Sequence, residues 1–132
     1  MTLFISYGMT RSGSTLAFET EKAILEKYGM PQDKIIIEGL ESWIENYLPE
    51  KYLSDINSLK KINEKTLDNF VVFKTHGAAN EKLLNFIRKF KIPVTISVRD
   101  PKDIVISLLE ISKKNRSINE TGFINIISFK DA

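Results

Sequence analysis

Three short apolar runs in this chain, TLFISYG at residues 2–8, NFVVFKT at 69–75 and PVTISVR at 93–99, each pass through turn-forming residues into a helical pattern. Their length and their β-branched and aromatic content mark them as strands, and near-continuous apolarity implies that both sheet faces are covered. Strand followed by helix, repeated, restricts the topology to a parallel sheet with right-handed crossovers. The expectation is an α/β domain in three layers, with a small central parallel sheet of three to four strands flanked by helices. The 132 residues, 42% of them apolar, suffice for one such domain over 1–132 and not for two.

The first helix is expected over residues 14–28, with Ala17, Ile24 and Tyr28 on one stripe and Gly29 as its stop. A second opens at Asn80 and turns Leu83, Phe86, Ile87 and Phe90 inward. The third opens at Asp100-Pro101, an N-cap followed by a proline in the first turn, with Ile104, Leu108 and Ile111 as its apolar face. Between the first two units, DKIIIEG at 33–39 is a candidate fourth strand, and ESWIENYL at 41–48 and SDINSLKKIN at 54–63 read as short amphipathic helices. Beyond Lys114 the pattern is ambiguous between helix and strand, although its apolar part, 123–129, suits a contact between subunits.

Nineteen Lys and Arg against 17 Asp and Glu give a net charge of +2, with no charged block. That balance argues against electrostatic capture of nucleic acid, so an anion site has to be local. The absence of cysteine removes disulfides and thiolate metal sites without fixing a compartment. The apolar run from Leu3 to Tyr7 is too short for a signal peptide or a membrane span, so a cytoplasmic protein without a membrane partner is expected.

In a parallel sheet, ligands sit beyond the carboxyl ends of the strands, which here lead into GMTRSGST, KTHGA and RDPKDIVIS. The first has a Gly8-x-x-x-x-Gly13 frame opening a helix. Backbone N–H groups and the helix N-terminus make an anion cradle there, from Arg11, Ser12 and Gly13 to Ser14 and Thr15. A nucleoside-triphosphate loop carries lysine where this one has Ser14, and the frame alone also fits a plain strand-to-helix turn. His76 is the only histidine; such a residue is often a cap or a surface group, but on this edge it can take a proton from an acceptor hydroxyl while Lys74 stabilises charge on a leaving group. Arg99 and Ser107 fit a structural ion pair and a solvated helix face, and together they also fit a grip on a second phosphate, about one nucleoside from the first.

Taken in order, these three segments resemble the sulfotransferases that use 3'-phosphoadenosine 5'-phosphosulfate (PAPS). TRSGST resembles the family's 5'-phosphosulfate loop, FKTHGA its lysine-threonine-histidine strand end, and RDPKDIVIS its 3'-phosphate motif, including the interval of eight from Arg99 to Ser107. The likeness covers most of the chain from Met1 to about Lys114, apart from the middle region. It implies a P-loop-type fold, PAPS as sulfuryl donor with no metal, and a small-molecule or carbohydrate acceptor that the sequence does not name. It also implies that His76 is the general base, that Lys74 assists the bridging oxygen, and that Arg11, with Ser12, Gly13, Ser14 and Thr15, holds the 5'-phosphosulfate. Arg99 and Ser107 then hold the 3'-phosphate. Leu16 stands where the cytosolic branch commonly has tryptophan, and the chain reads as a short form without the family's C-terminal half. Trp43, Tyr47 and Tyr52 suit either core packing or stacking on an acceptor ring. A non-enzymatic binder of PAPS, of adenosine 3',5'-bisphosphate or of a related nucleotide stays open as the alternative. A small P-loop kinase is disfavoured by Ser14.

Overall fold

The computed structural model describes residues 3–33, 35–36, 46–66, 70–118, 123, 125 and 128. Three strands, β1 (Leu3–Gly8), β2 (Val71–Thr75) and β3 (Val94–Ser97), form a parallel sheet in the order β2-β1-β3. In register, Leu3, Ile5 and Tyr7 of β1 stand beside Val71, Phe73 and Thr75 of β2, while Ile5 to Gly8 stand beside Val94 to Ser97 of β3. The first strand is thus central, and the chain crosses over it between β2 and β3.

Five helices accompany the sheet among the described residues: α1 (Ser14–Lys27), α2 (Glu50–Leu53), α3 (Ile56–Lys65), α4 (Glu81–Phe90) and α5 (Pro101–Ser117). Alternation along the strands divides the two faces. Leu3, Ile5, Val71 and Phe73 point into a core with Tyr52 and Leu53 of α2, Leu59 and Ile62 of α3, and Leu83 and Phe86 of α4. The opposite face carries the polar row Lys74, Ser6 and Thr95, which meets α1 through hydrogen bonds from Lys74 to Thr15 and from Thr95 to Glu21. Helices therefore flank the parallel sheet, as the alternation of strand and helix implies.

Local signals explain the helix ends. Asp55 caps α3 by accepting from Asn57 and Ser58 N–H; the Ser58 hydroxyl, then the Asn57 N–H, hold its carboxyl below the usual range. Asn80 caps α4 through Leu83 N–H, and Asp100 caps α5 through Lys102 N–H with Pro101 in the first turn. Gly29 follows α1 at φ 78°, a left-handed conformation that only glycine adopts without strain.

Several expectations are corrected. The inward stripe of α1 is Ser14 and Phe18, whereas Ile24 and Tyr28 are exposed. The stripe read from sequence is rotated by about 100°, one residue's turn. The sheet beneath α1 is polar, so the helix meets it with Thr15 and Glu21, which the aliphatic pattern does not reveal. Residues 46–48 are not helical: Asn46 turns the chain at φ 53° and Tyr47 bridges β2, with Lys74 N–H donating to Asn46 O at 3.0 Å and Leu48 N–H to Lys74 O at 2.8 Å. Buried Gln32 closes the same edge lower down, its amide group donating to Phe70 O and its carbonyl accepting from Val72 N–H. No described strand pairs with the outer edge of β3, whose Val94, Ile96 and adjoining Val98 are exposed, so β3 is not covered on both faces as its apolarity implies. Of the candidate fourth strand at 33–39, residues 33, 35 and 36 are described and are not in a strand; its other residues, the rest of the 41–48 helix with Trp43, and most of the 123–129 tail lie outside the described residues.

Candidate functional site

Parallel pairing brings the carboxyl ends of all three strands to one edge, with the β1 loop between the other two ends. Adjacent strands lie about 4.8 Å apart, so groups leaving β2 and β3 face each other across roughly 10 Å.

The loop itself is compact. Ser12 donates to Met9 O through both N–H, at 3.1 Å, and hydroxyl, at 2.7 Å. Gly8 passes so close to its neighbours that a Cβ there lies 2.7 Å from Ser14 Cβ, 2.9 Å from Ser12 Oγ and 3.0 Å from Ser97 Cβ. Gly13 has φ 88° and is the N-cap of α1, where no side chain caps the helix and no acidic residue occupies the first turn. The helix dipole at this end is therefore not offset by a carboxylate, in contrast to α5 with Asp100 and Asp103. Ser14 is buried beneath the turn and Thr15 is exposed.

On the β2 side, Lys74 Nζ donates to Thr15 Oγ1 at 2.6 Å. Burial pushes this ammonium below the ordinary lysine value of 10.5, partly opposed by the Glu19 carboxylate. His76 is half-buried, with its Nδ1 hydrogen-bonded to Gly8 O. A carbonyl oxygen can only accept, so Nδ1 carries the proton and Nε2 of the neutral ring has a lone pair to offer. The Tyr47 ring lies against the imidazole at 5.7 Å between centroids, tilted by 54°. Thr75 fixes the strand end by donating to Leu48 O at 2.8 Å and accepting from Gly77 N–H at 3.0 Å.

On the β3 side, Arg11 Nε donates to Ser107 Oγ at 2.9 Å, and Arg99 Nη1 donates to Arg11 O at 3.3 Å. Arg99 also lies 3.7 Å from Asp103, a partly exposed pair that contributes little to stability. Ser107 is buried, so it does not occupy a solvated helix face.

Comparison with protein-family models, curated proteins and solved structures finds no match to this chain. The geometry therefore carries the functional reading by itself. It brings the candidates together in two groups on either side of Gly8: Lys74, Thr15 and His76 in one, Arg11, Arg99 and Ser107 in the other. The sequence singles out Tyr47 as an aromatic for core or acceptor; it meets His76, while Tyr52 is buried in the core. Sequence reasoning missed the Gly8 carbonyl as the partner that orients His76, since backbone acceptors have no sequence signal. No helix among the described residues is long and apolar enough to cross a membrane.

Proposed function

We propose that this chain is a sulfotransferase of the P-loop type that moves a sulfuryl group from PAPS to a hydroxyl or amine acceptor. The observation that carries this reading is the pairing of a base and an ammonium at the β2 end with two guanidinium groups toward the β3 end, on either side of the glycine turn, with those strands roughly 10 Å apart.

The residues fit such a donor on two counts. The turn excludes a Cβ at Gly8, and the α1 N-terminus has no competing carboxylate, so backbone N–H groups and Thr15 are left to an anionic group. When bound, PAPS supplies an activated sulfuryl group on a phosphate that can leave. His76, held through Nδ1 by Gly8 O, takes the acceptor proton at Nε2 as the acceptor oxygen attacks. Lys74, beside Thr15, stabilises the charge that builds on the departing phosphate oxygen, and partial burial lowers its proton affinity. Tyr47 flanks the imidazole and borders the space from which an acceptor approaches. Positioning and charge stabilisation do most of the work in an in-line transfer of this kind.

The test is a thermal-shift comparison of adenosine 3',5'-bisphosphate, PAPS and ATP with and without magnesium, followed by labelled-sulfate transfer over a panel of hydroxyl and amine acceptors. Stabilisation by the bisphosphate without metal, together with transfer, is expected. Preference for ATP with magnesium overturns the proposal, and binding without any transfer reduces the chain to a nucleotide-binding protein.

A further inference from the structure

Sequence position assigns Arg11 to the 5'-phosphosulfate, because it lies inside the glycine loop. The side chain goes elsewhere. Arg11 has φ 67°, and its Nε reaches Ser107 Oγ, 96 residues away, at 2.9 Å. Its carbonyl receives Arg99 Nη1 at 3.3 Å, which ties the loop backbone to the same corner. The loop's other basic neighbour, Lys74, goes to Thr15 on the opposite side. Within one short loop, then, residues four apart are held by different strand ends.

We infer that Arg11 is a specificity residue for the 3'-phosphate, acting with Arg99 and Ser107, and is not the cation that serves the 5'-phosphosulfate. The inference rests on the donor-binding reading above and concerns which end of the donor each cation reads.

Three features support it. The Ser107 bond uses one of the five donors of the guanidinium, so the planar fork can turn to a phosphate without giving up that anchor. Ser107 is only 6% exposed, so the Arg11 side chain is anchored on a buried hydroxyl while Arg11 and Arg99 themselves stay exposed and open to an incoming anion. Charge favours the same end: Arg11 and Arg99, offset in part by Asp103 at 3.7 Å from Arg99, leave the corner net positive, and a terminal phosphate monoester, at about −1.5 to −2 near neutral pH, is the more strongly charged of the groups it can attract. Lys74, a single charge, then serves the end where one phosphate oxygen gains charge during transfer. Arg11 Nε meets Ser107 Oγ while Arg99 Nη1 meets the Arg11 carbonyl, so both arginines are tied to one corner, where a phosphate can take charge-assisted contacts from each. The result is selection for nucleotides that bear a 3'-phosphate over those that do not.

The experiment is isothermal titration of the full chain with adenosine 3',5'-bisphosphate and with adenosine 5'-monophosphate, for wild type, Arg11→Ala and Arg11→Gly. The glycine variant accepts the positive φ at this position, so it guards against a loop distorted by alanine. Wild type is expected to prefer the bisphosphate. Both variants are expected to bind the bisphosphate at least roughly tenfold more weakly, with monophosphate affinity changed less than about twofold, as loss of a charge-assisted contact to one phosphate requires. An equal loss for both nucleotides places Arg11 at the 5' end and overturns the inference while leaving the proposed function intact. Wild type that shows no preference for the bisphosphate overturns both.

Discussion

Replacing Gly8 by alanine tests whether the turn's geometry makes the anion cradle. A Cβ at this position lies 2.7 Å from Ser14 Cβ, and ordinary contact begins near 3.4 Å, so the first turn of α1 has to retreat by about 0.7 Å. A second contact, 3.0 Å to Ser97 Cβ, blocks relief toward β3. Overpacking of this kind costs about 1–3 kcal/mol, and in a chain of this size that lowers the melting temperature by roughly 4–12 °C. The same shift moves Thr15 away from Lys74, lengthening a 2.6 Å hydrogen bond to about 3.3 Å and weakening it. Gly29→Ala is the control: its φ is 78° with no atom within 4 Å of the added Cβ, so it introduces backbone strain of about 1–2 kcal/mol far from the loop. Differential scanning fluorimetry and titration with adenosine 3',5'-bisphosphate give the two readouts. Both variants are expected to melt earlier, and only Gly8→Ala is expected to lose binding, by at least roughly tenfold. Wild-type affinity in Gly8→Ala would refute the claim that the cradle depends on this close packing.

His76→Ala is expected to lower turnover by a factor of ~10² to 10⁴ in a labelled-sulfate assay while nucleotide affinity stays nearly constant; unchanged turnover removes His76 as the base. Lys74 gives a pH signature. Because its folded-state proton affinity is lowered by burial, the unfolded chain binds more protons between the lowered value and 10.5, so stability rises with pH across that window. Denaturation in urea at several pH values is expected to show the rise in wild type and its loss in Lys74→Met. Gln32→Leu leaves Val72 N–H and Phe70 O at the β2 edge without their partner, at a cost of about 2–3 kcal/mol in chemical denaturation; a change below about 0.5 kcal/mol means that water replaces the amide.

Much of the fold was legible because the relevant signals are local. Strand composition at 71–75 and 94–97, the caps Asn80 and Asp100, and the stop at Gly29 each act within a few residues, and each element formed where those residues put it. Errors arose where a partner distant in sequence decides the outcome. Tyr47 bridges Lys74, with Asn46 and Leu48 bonded to it on either side, because β2 offers an open edge, which outweighs a helical apolar spacing. The stripe of α1 is displaced because Lys74, Ser6 and Thr95 lie under it, a fact belonging to β1, β2 and β3 and not to the helix. The candidate site shows the same division. Its residues are visible in the three strand-end segments, whereas the Arg11 to Ser107 contact spans 96 residues and depends on β1 lying between β2 and β3.

The central claim is that the Lys74 and Arg99 corners serve one ligand. Titration calorimetry with adenosine 3',5'-bisphosphate in metal-free buffer tests it directly, for wild type, Lys74→Met, Arg99→Met and the double variant. The account predicts saturable binding of one nucleotide per chain, weakened by either substitution. Absence of binding, or a stoichiometry of two with each substitution abolishing a separate event, contradicts it.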